Sequence, residues 1–353
     1  MKKSILTILG VCMASLPLYA QQEEPSRIEK KNFSDVNEIR FDHYYGHITV
    51  TESDAGQVKL EIRYFDSDKI KPVSETSVTG GVLTVKTVID FPRNFNNRHK
   101  IGIDYLITVP KDAATDIRLK YGNIHLGDRH GPFKCDLAYG DLHVNTLFKS
   151  PVSIASSYSN LHIGRVDTLD LSTAYGSLNI GAVQSLKINS QYTKCHIENV
   201  DLLKAASAYG SLQIGSAIEF DAGLRFTPVT IDRLEKSLNL ACDHSTVQVL
   251  NTSPGVQSVT FDGSFSNFEL GLDAGLSAHL DVDLKYTGLS VEDLYVKYSF
   301  SETDHSRVIK KGVIGNKTPA ATIRIGNTHA SVKIHESSWK VPMQKTVPPP
   351  SGR

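Results

Sequence analysis

The chain carries no surplus of charge of either sign, with 38 Lys and Arg against 38 Asp and Glu in 353 residues. It also lacks any polybasic block, so no stretch is equipped to neutralise a run of phosphates, and nucleic-acid binding is excluded as its function. Cysteine is scarce, four in all. Cys135, Cys195 and Cys242 are widely spaced, form no CxxC pair and leave an odd count once Cys12 is assigned to the leader, which excludes a disulfide framework. No GxSxG, no HExxH and no phosphate loop occurs, so the familiar hydrolase and nucleotide-binding signatures are missing. Long apolar runs are absent outside the first twenty residues. A chain that is 40% hydrophobic and 22% charged nevertheless has ample material for a large core.

Those first twenty residues have three parts: Lys2 and Lys3, an apolar stretch from Ile5 to Leu18, and the small residue Ala20, followed by Gln21, Gln22, Glu23 and Glu24. This is the pattern of a secretory signal peptide over residues 1–20. The apolar stretch is too short to span a bilayer and is broken by Ser4, Thr7, Ser15 and Pro17, so the mature chain is expected to have no transmembrane span. Leu9-Gly10-Val11-Cys12 is a poor lipidation site, because Val11 precedes the cysteine and a cut there would leave little hydrophobic segment. The expected mature start is Gln21, with residues 21–32 as a leader to the fold and a location in the periplasm or at the cell surface.

The dominant signal is an internal repeat. Tyr121-Gly-Asn-Ile-His-Leu-Gly127 recurs as Tyr139-Gly-Asp-Leu-His-Val-Asn145, Tyr158-Ser-Asn-Leu-His-Ile-Gly164, Tyr175-Gly-Ser-Leu-Asn-Ile-Gly181, Tyr192-Thr-Lys-Cys-His-Ile-Glu198 and Tyr209-Gly-Ser-Leu-Gln-Ile-Gly215. The aromatic residues are 18, 19, 17, 17 and 17 positions apart. The frame extends with looser spacing to Tyr45, His244, Phe265, Tyr286 and His329. Apolar residues recur six and four places before each aromatic and three and five places after it, as in Leu169, Leu171, Leu178 and Ile180 around Tyr175. Both sets have period two, so each unit predicts two short strands meeting at the aromatic corner. Gly122, Gly140, Gly176 and Gly210 are expected to supply positive φ at that corner. The three cysteines fall on inward positions.

A unit of about 17 residues cannot bury its apolar face alone, so neighbouring units must stack through parallel hydrogen bonds. The expected fold is all-β: a single-stranded β-solenoid, or β-helix, of about ten two-strand coils over residues 33–335. At the usual strand spacing its core is roughly 45 Å long. Residues 57–110 and 296–335 break the frame and predict antiparallel caps at the two ends, which protect otherwise unpaired strand edges. A loop excursion is expected between Glu219 and Lys236, and residues 336–353, with Pro348-Pro349-Pro350, are expected to form a mobile tail. The alternative of an antiparallel sandwich does not explain a near-constant repeat length.

The repeated Tyr-Gly-x-Leu-x-Ile-Gly units resemble a family of exported bacterial proteins, frequent in Bacteroides and its relatives, described as a "putative adhesin" family of unknown function with a β-helical repeat. The resemblance spans residues 33–335 and implies a binding or structural module at the cell envelope. It carries no catalytic motif.

Three columns of residues are the candidate sites. His125, His143, His162, Asn179, His196 and Gln213 share one outward position in successive units and form the candidate binding face. His125, His143 and His162 could also share a metal ion, although flat strands hold rings side by side and do not aim them at one point. Asp262, Asp281 and Asp283 are the carboxylates that a β-helix glycosidase would need, with Asp262 and Asp283 placed in adjacent coils; the other reading is a solvated face with like charges kept apart by water, or at most a Ca²⁺ site. The aromatic column, Tyr121 through Tyr209, reads either as core or corner packing with rings leaning inward over Ser156, Thr173, Ser190 and Ser207, or as a sugar-stacking platform. The expected function is that of an exported, non-catalytic module, monomeric or weakly self-associating, that needs no cofactor and binds an envelope or host glycan or another surface protein. A carbohydrate-active enzyme and a periplasmic partner in envelope-stress signalling are the alternatives.

Overall fold

The computed structural model describes residues 24–91, 100–148 and 151–337. Residues 1–23, 92–99, 149–150 and those beyond Ser337, with the signal peptide and the expected tail, lie outside the described residues. Of the expected leader at 21–32, the part from Arg27 onward is not a leader but belongs to the strand Arg27–Ser34, paired with Gln57–Phe65. Within the described residues the fold is all-β, a mixed sheet of strands from Arg27–Ser34 to Val332–Glu336 with no helix, and hence no helix long and apolar enough to cross a membrane.

Each repeat contributes one strand before its aromatic residue and one after it. Successive strands of each kind pair in parallel, apolar position on apolar position: Cys135 faces Ile154, Leu142 faces Leu161, Cys195 faces Leu212 and Ile197 faces Ile214. The period-two pattern turns these residues to one side, and a single buried cluster runs from Val36 to Ile334. Pairing continues around the corners through residues 160–208 without a break. The expected excursion between Glu219 and Lys236 is absent. Ser211–Arg225 and Val229–Asp243 stay paired in parallel with one register shift between Ala217 and Glu219, so a single bulge absorbs the extra residue.

Order in space departs from order in sequence at both ends. Glu38–Tyr44 lies between Val82–Val88 and Ala114–Lys120, parallel to both, and Ile48–Ser53 lies likewise between Gly102–Pro110 and Ile124–Leu126. Residues 57–110 are therefore not antiparallel throughout, because they supply a parallel pair of their own. Three strands add antiparallel edges around it: Gln57–Phe65, Arg27–Ser34 and Val73–Thr79. The other end mirrors this. Ala321–Thr328 sits between Ser258–Ser264 and Ala278–Lys285, and Val332–Glu336 sits between Asn267–Leu272 and Leu289–Glu292, all in parallel. Only the hairpin of Val296–Thr303 and Arg307–Ile314 is antiparallel there, so the segment 296–335 is half hairpin and half inserted unit. Alternation marks strands but does not say which neighbour they choose, which is why the sequence pattern misses both insertions.

The three cysteines are buried free thiols, and burial pushes Cys195 and Cys242 up to about 12. Polar groups inside the core are matched in pairs, Ser156 donating to Thr173 and Ser190 to Ser207, each at 2.9 Å. These side chains occupy the space where the sequence suggests inward-leaning rings.

One buried guanidinium joins the N-terminal strands to the repeats. Arg129 is 0% exposed; it donates to Glu52 Oε2 at 3.1 Å, to the carbonyl of Pro110 at 3.3 Å and to the carbonyl of Ala113. Glu52 also accepts from the His130 amide at 2.9 Å and lies 2.8 Å from His130 Nδ1.

His43 occupies the inward position that Leu119 and Leu137 fill in the following units, and it is 2% exposed. Its Nδ1 lies 2.7 Å from Thr87 Oγ1, which continues to the Tyr105 hydroxyl and Ser74. Burial lowers the imidazole pKa to about 3. An unfolded chain takes up this proton near pH 6.5 and the folded one does not, so stability is complete above pH 6.5 and falls as the pH drops toward 3. Between pH 7 and pH 4 this group alone is expected to remove about 3 kcal/mol. Urea unfolding at the two pH values checks it. His43→Leu should lose that component, and an equal acid loss in both proteins would refute the assignment.

Candidate functional site

The aromatic residues mark the corner between the two strands of each unit, and the corner's conformation is set by the aromatic residue itself. Tyr45, Tyr121, Tyr139, Tyr158, Tyr175, Tyr192, Tyr209, Phe226, His244, Phe265, Tyr286 and His329 all have φ between 47° and 61°. This is the left-handed region, which costs a residue with a Cβ roughly 1–2 kcal/mol. Gly122, Gly140, Gly176 and Gly210 do not carry it, contrary to the sequence expectation. Their role is close approach: a Cβ at Gly140 would overlap the carbonyl oxygen of Gly122, and one at Gly176 that of Ser159. At several units where that slot is not glycine, a hydroxyl holds the turn. Ser159, Thr193, Thr227 and Ser266 each donate to the carbonyl two residues back, at 2.8–2.9 Å.

The left-handed corner turns the rings outward. From Tyr45 to Phe265, then His329 and Tyr286, each ring stacks on the next at 4.7–5.1 Å, giving a continuous column roughly 50 Å long at the strand spacing. The Tyr and Phe rings are 38–64% exposed, so the column is corner packing and not core. Stacking covers both faces of every inner ring, which removes the face-on sugar platform and leaves ring edges and phenolic hydroxyls to solvent. Phe226 is a further member of the column, absent from the aromatic positions read from the sequence although it lies 17 after Tyr209 and 18 before His244, which fits the frame.

This geometry predicts an order of substitutions. Tyr175→Ala keeps a Cβ in the left-handed corner and forfeits two stacking contacts, an expected loss of about 1–3 kcal/mol. Tyr175→Gly forfeits the same contacts but releases the backbone cost, so it should destabilise less than Ala. Melting curves for both variants would overturn the corner assignment if glycine proved the more damaging.

The histidine column lies on the flat face beside this corner, where sequence places it. His125 stacks on His143 at 5.2 Å and His143 on His162 at 4.8 Å, with rings within 12° of parallel. Asn179 Nδ2 lies 3.4 Å from His162 Nδ1, and His196 pairs in register with Gln213. Parallel rings do not converge on one point, and among the described residues no group of three His, Cys, Asp or Glu is arranged to hold a metal ion. Between the tyrosines and the histidines runs a further polar column. Asp141 accepts from Asn160 Nδ2 at 3.0 Å and Asn160 accepts from Ser177 at 2.7 Å.

The structure brings the three carboxylates to one groove, but not in the strand order that the sequence frame suggests. Asp262 and Asp283 both face Gly326 of the inserted strand, so they are two strand spacings apart, about 10 Å, and not in adjacent units. Arg307 binds Asp283 with Nε–Oδ1 2.8 Å and Nη2–Oδ2 2.5 Å, and these hydrogen bonds hold the Asp283 carboxyl below the usual carboxylate range. A glycosidase acid needs the opposite shift. Lys311 lies 3.4 Å from Asp281. A groove of about 590 Å³ here mixes three acids with Arg307, Lys311 and Arg324.

No protein-family model matches the chain, and no curated protein matches it. Among solved structures it is similar to "a putative cell adhesion protein" from Clostridium sporogenes ATCC 15579, at 9% identity over 89% of this chain and 100% of that one, with a TM-score of 0.22. It is also similar to "a putative adhesin" from Bacteroides fragilis NCTC 9343 (10% identity, 89% of this chain, 100% of that one, TM-score 0.25). A third is "a putative adhesin" from Parabacteroides merdae ATCC 43184 (12%, 67%, 97%, 0.32).

Proposed function

We propose that the chain is an exported, non-catalytic β-solenoid that binds an extended, repetitive partner at the bacterial envelope, an envelope or host polysaccharide being the class its surface fits. In this reading the parallel units are successive turns of one solenoid around the single core. The observation that carries it is the equivalence of the outward chemistry from Tyr121 to Gly215. At each strand step the same face presents a phenolic hydroxyl, then Asn, Asp, Ser or Lys, then His, Asn or Gln. A ligand that repeats along its length engages many such positions at once, and simultaneous weak contacts multiply through effective concentration. Export rests on the tripartite leader. Against an enzyme stands Asp283, ion-paired to Arg307 and so held below the usual carboxylate range.

Binding to a panel of envelope and host polysaccharides tests the proposal. Affinity should fade stepwise as His125, His143 and His162 are replaced by Ser in turn. An all-or-none loss from one histidine would refute the distributed form, and hydrolysis abolished by Asp283→Asn would refute the non-catalytic one.

A further inference from the structure

The inserted unit at the C-terminal end has a consequence for assembly. Residues 258–292 build the two walls of a slot: Ser258–Ser264 and Asn267–Leu272 on one side, Ala278–Lys285 and Leu289–Glu292 on the other. Ala321–Thr328 and Val332–Glu336 fill it, pairing in parallel with both walls. Ile323, Ile325, Val332 and Ile334 are buried there, and the His329 ring completes the aromatic column, 4.7 Å from Phe265 and 4.8 Å from Tyr286. Asn327 adds hydrogen bonds from Nδ2 to the carbonyls of Ser266 at 2.8 Å and Ala330 at 2.9 Å.

The slot's walls are complete before the insert is reached in sequence, and the insert is joined to them upstream only through residues 315–320. That connection runs around the start of one wall. Ile314 and Ala321 flank Ala278 from opposite sides, so the chain crosses two strand spacings, about 10 Å, between them. Along the way the amides of Lys317 and Ala320 donate to Ser277, at 3.0 Å each. Nothing in the contacts of the insert depends on its belonging to the same molecule. Main-chain pairing, apolar burial and ring stacking would be identical from a second copy, and only the effective concentration set by the connection favours its own.

We infer that this two-strand unit is exchangeable, and that the partner its slot fits is the same unit of a second copy of this chain. The products are strand-exchanged dimers, or open chains of copies when exchange is not reciprocal. Weak self-association then has a defined structural route.

Deleting residues 315–320 from the otherwise intact mature chain tests this. A direct Ile314–Ala321 bond reaches about 3.8 Å, too short to cross Ala278, so the insert cannot seat in its own slot. The expected product, by size-exclusion chromatography with light scattering, is a dimer or larger oligomer in which 321–337 resists proteolysis. Replacing the six residues with six Gly and Ser should give the monomer. Adding Ile325→Asp to the deletion should abolish the oligomer, since a carboxylate cannot enter any copy's core. A deletion variant that is monomeric, or unfolded, or oligomeric even with Ile325→Asp, would overturn the inference.

Discussion

Leu178→Asp is expected to lower stability by several kcal/mol, whereas Asn179→Asp, one residue away, should change it by less than about 1 kcal/mol. Leu178 is 0% and Ile180 1% exposed within the common core, while Asn179 sits half-buried on the outer face. A carboxylate at 178 enters a site with no cation or donor to receive it and must be neutralised or hydrated, either of which opens the stack. Units of a repeat fold lean only on their neighbours, so the damage should spread along the column from the altered unit. Thermal melting of both variants gives the comparison directly. Equal shifts would mean that the inward and outward columns of the strand after the corner are wrongly assigned.

Arg129→Ala is expected to cost about 3–5 kcal/mol, the typical penalty for removing one partner of a buried ion pair. Glu52 would be left with its carboxylate largely covered and only the His130 contacts, and the carbonyls of Pro110 and Ala113 would lose their donor. Arg129→Lys should recover little, because one ammonium cannot span acceptors placed for a planar fork. The removed side chain tethers residues 127–132 to the N-terminal strands, so the loss should appear as early unfolding of that end. Hydrogen exchange measured along the chain would locate it. Uniform loosening of the distant units at 258–336 would contradict this placement.

Much of the repeat was legible in the sequence because the structure reuses a single local rule. Leu178 and Ile180, Leu142 and Val144, Cys195 and Ile197 alternate with polar residues, and alternation fixes the face on which each side chain lies. The histidine column follows from the same parity. Arg129 left no such trace: a lone arginine between Asp128 and His130 reads as a surface residue, and its burial depends on Glu52, which lies 77 positions earlier. The glycine-rich corner misled for a related reason. Glycine after Tyr121, Tyr139, Tyr175 and Tyr209 suggests positive φ, but the requirement it meets is the close passage of a neighbouring carbonyl, while the ring stack offsets the strain of a left-handed tyrosine. Asp262 and Asp283 look like neighbours in sequence frame, yet Gly326 separates them.

The sequence by itself determined the strand pattern, the inward and outward columns and the stacking of unit upon unit, since a fixed repeat of alternating residues can bury its apolar side only against copies of itself. Tertiary structure alone decided the order of the end units, the outward turn of the aromatic rings and the pairing of Arg129 with Glu52. Each of those depends on which distant backbone comes alongside, and alternation carries no information about the choice between equally patterned partners.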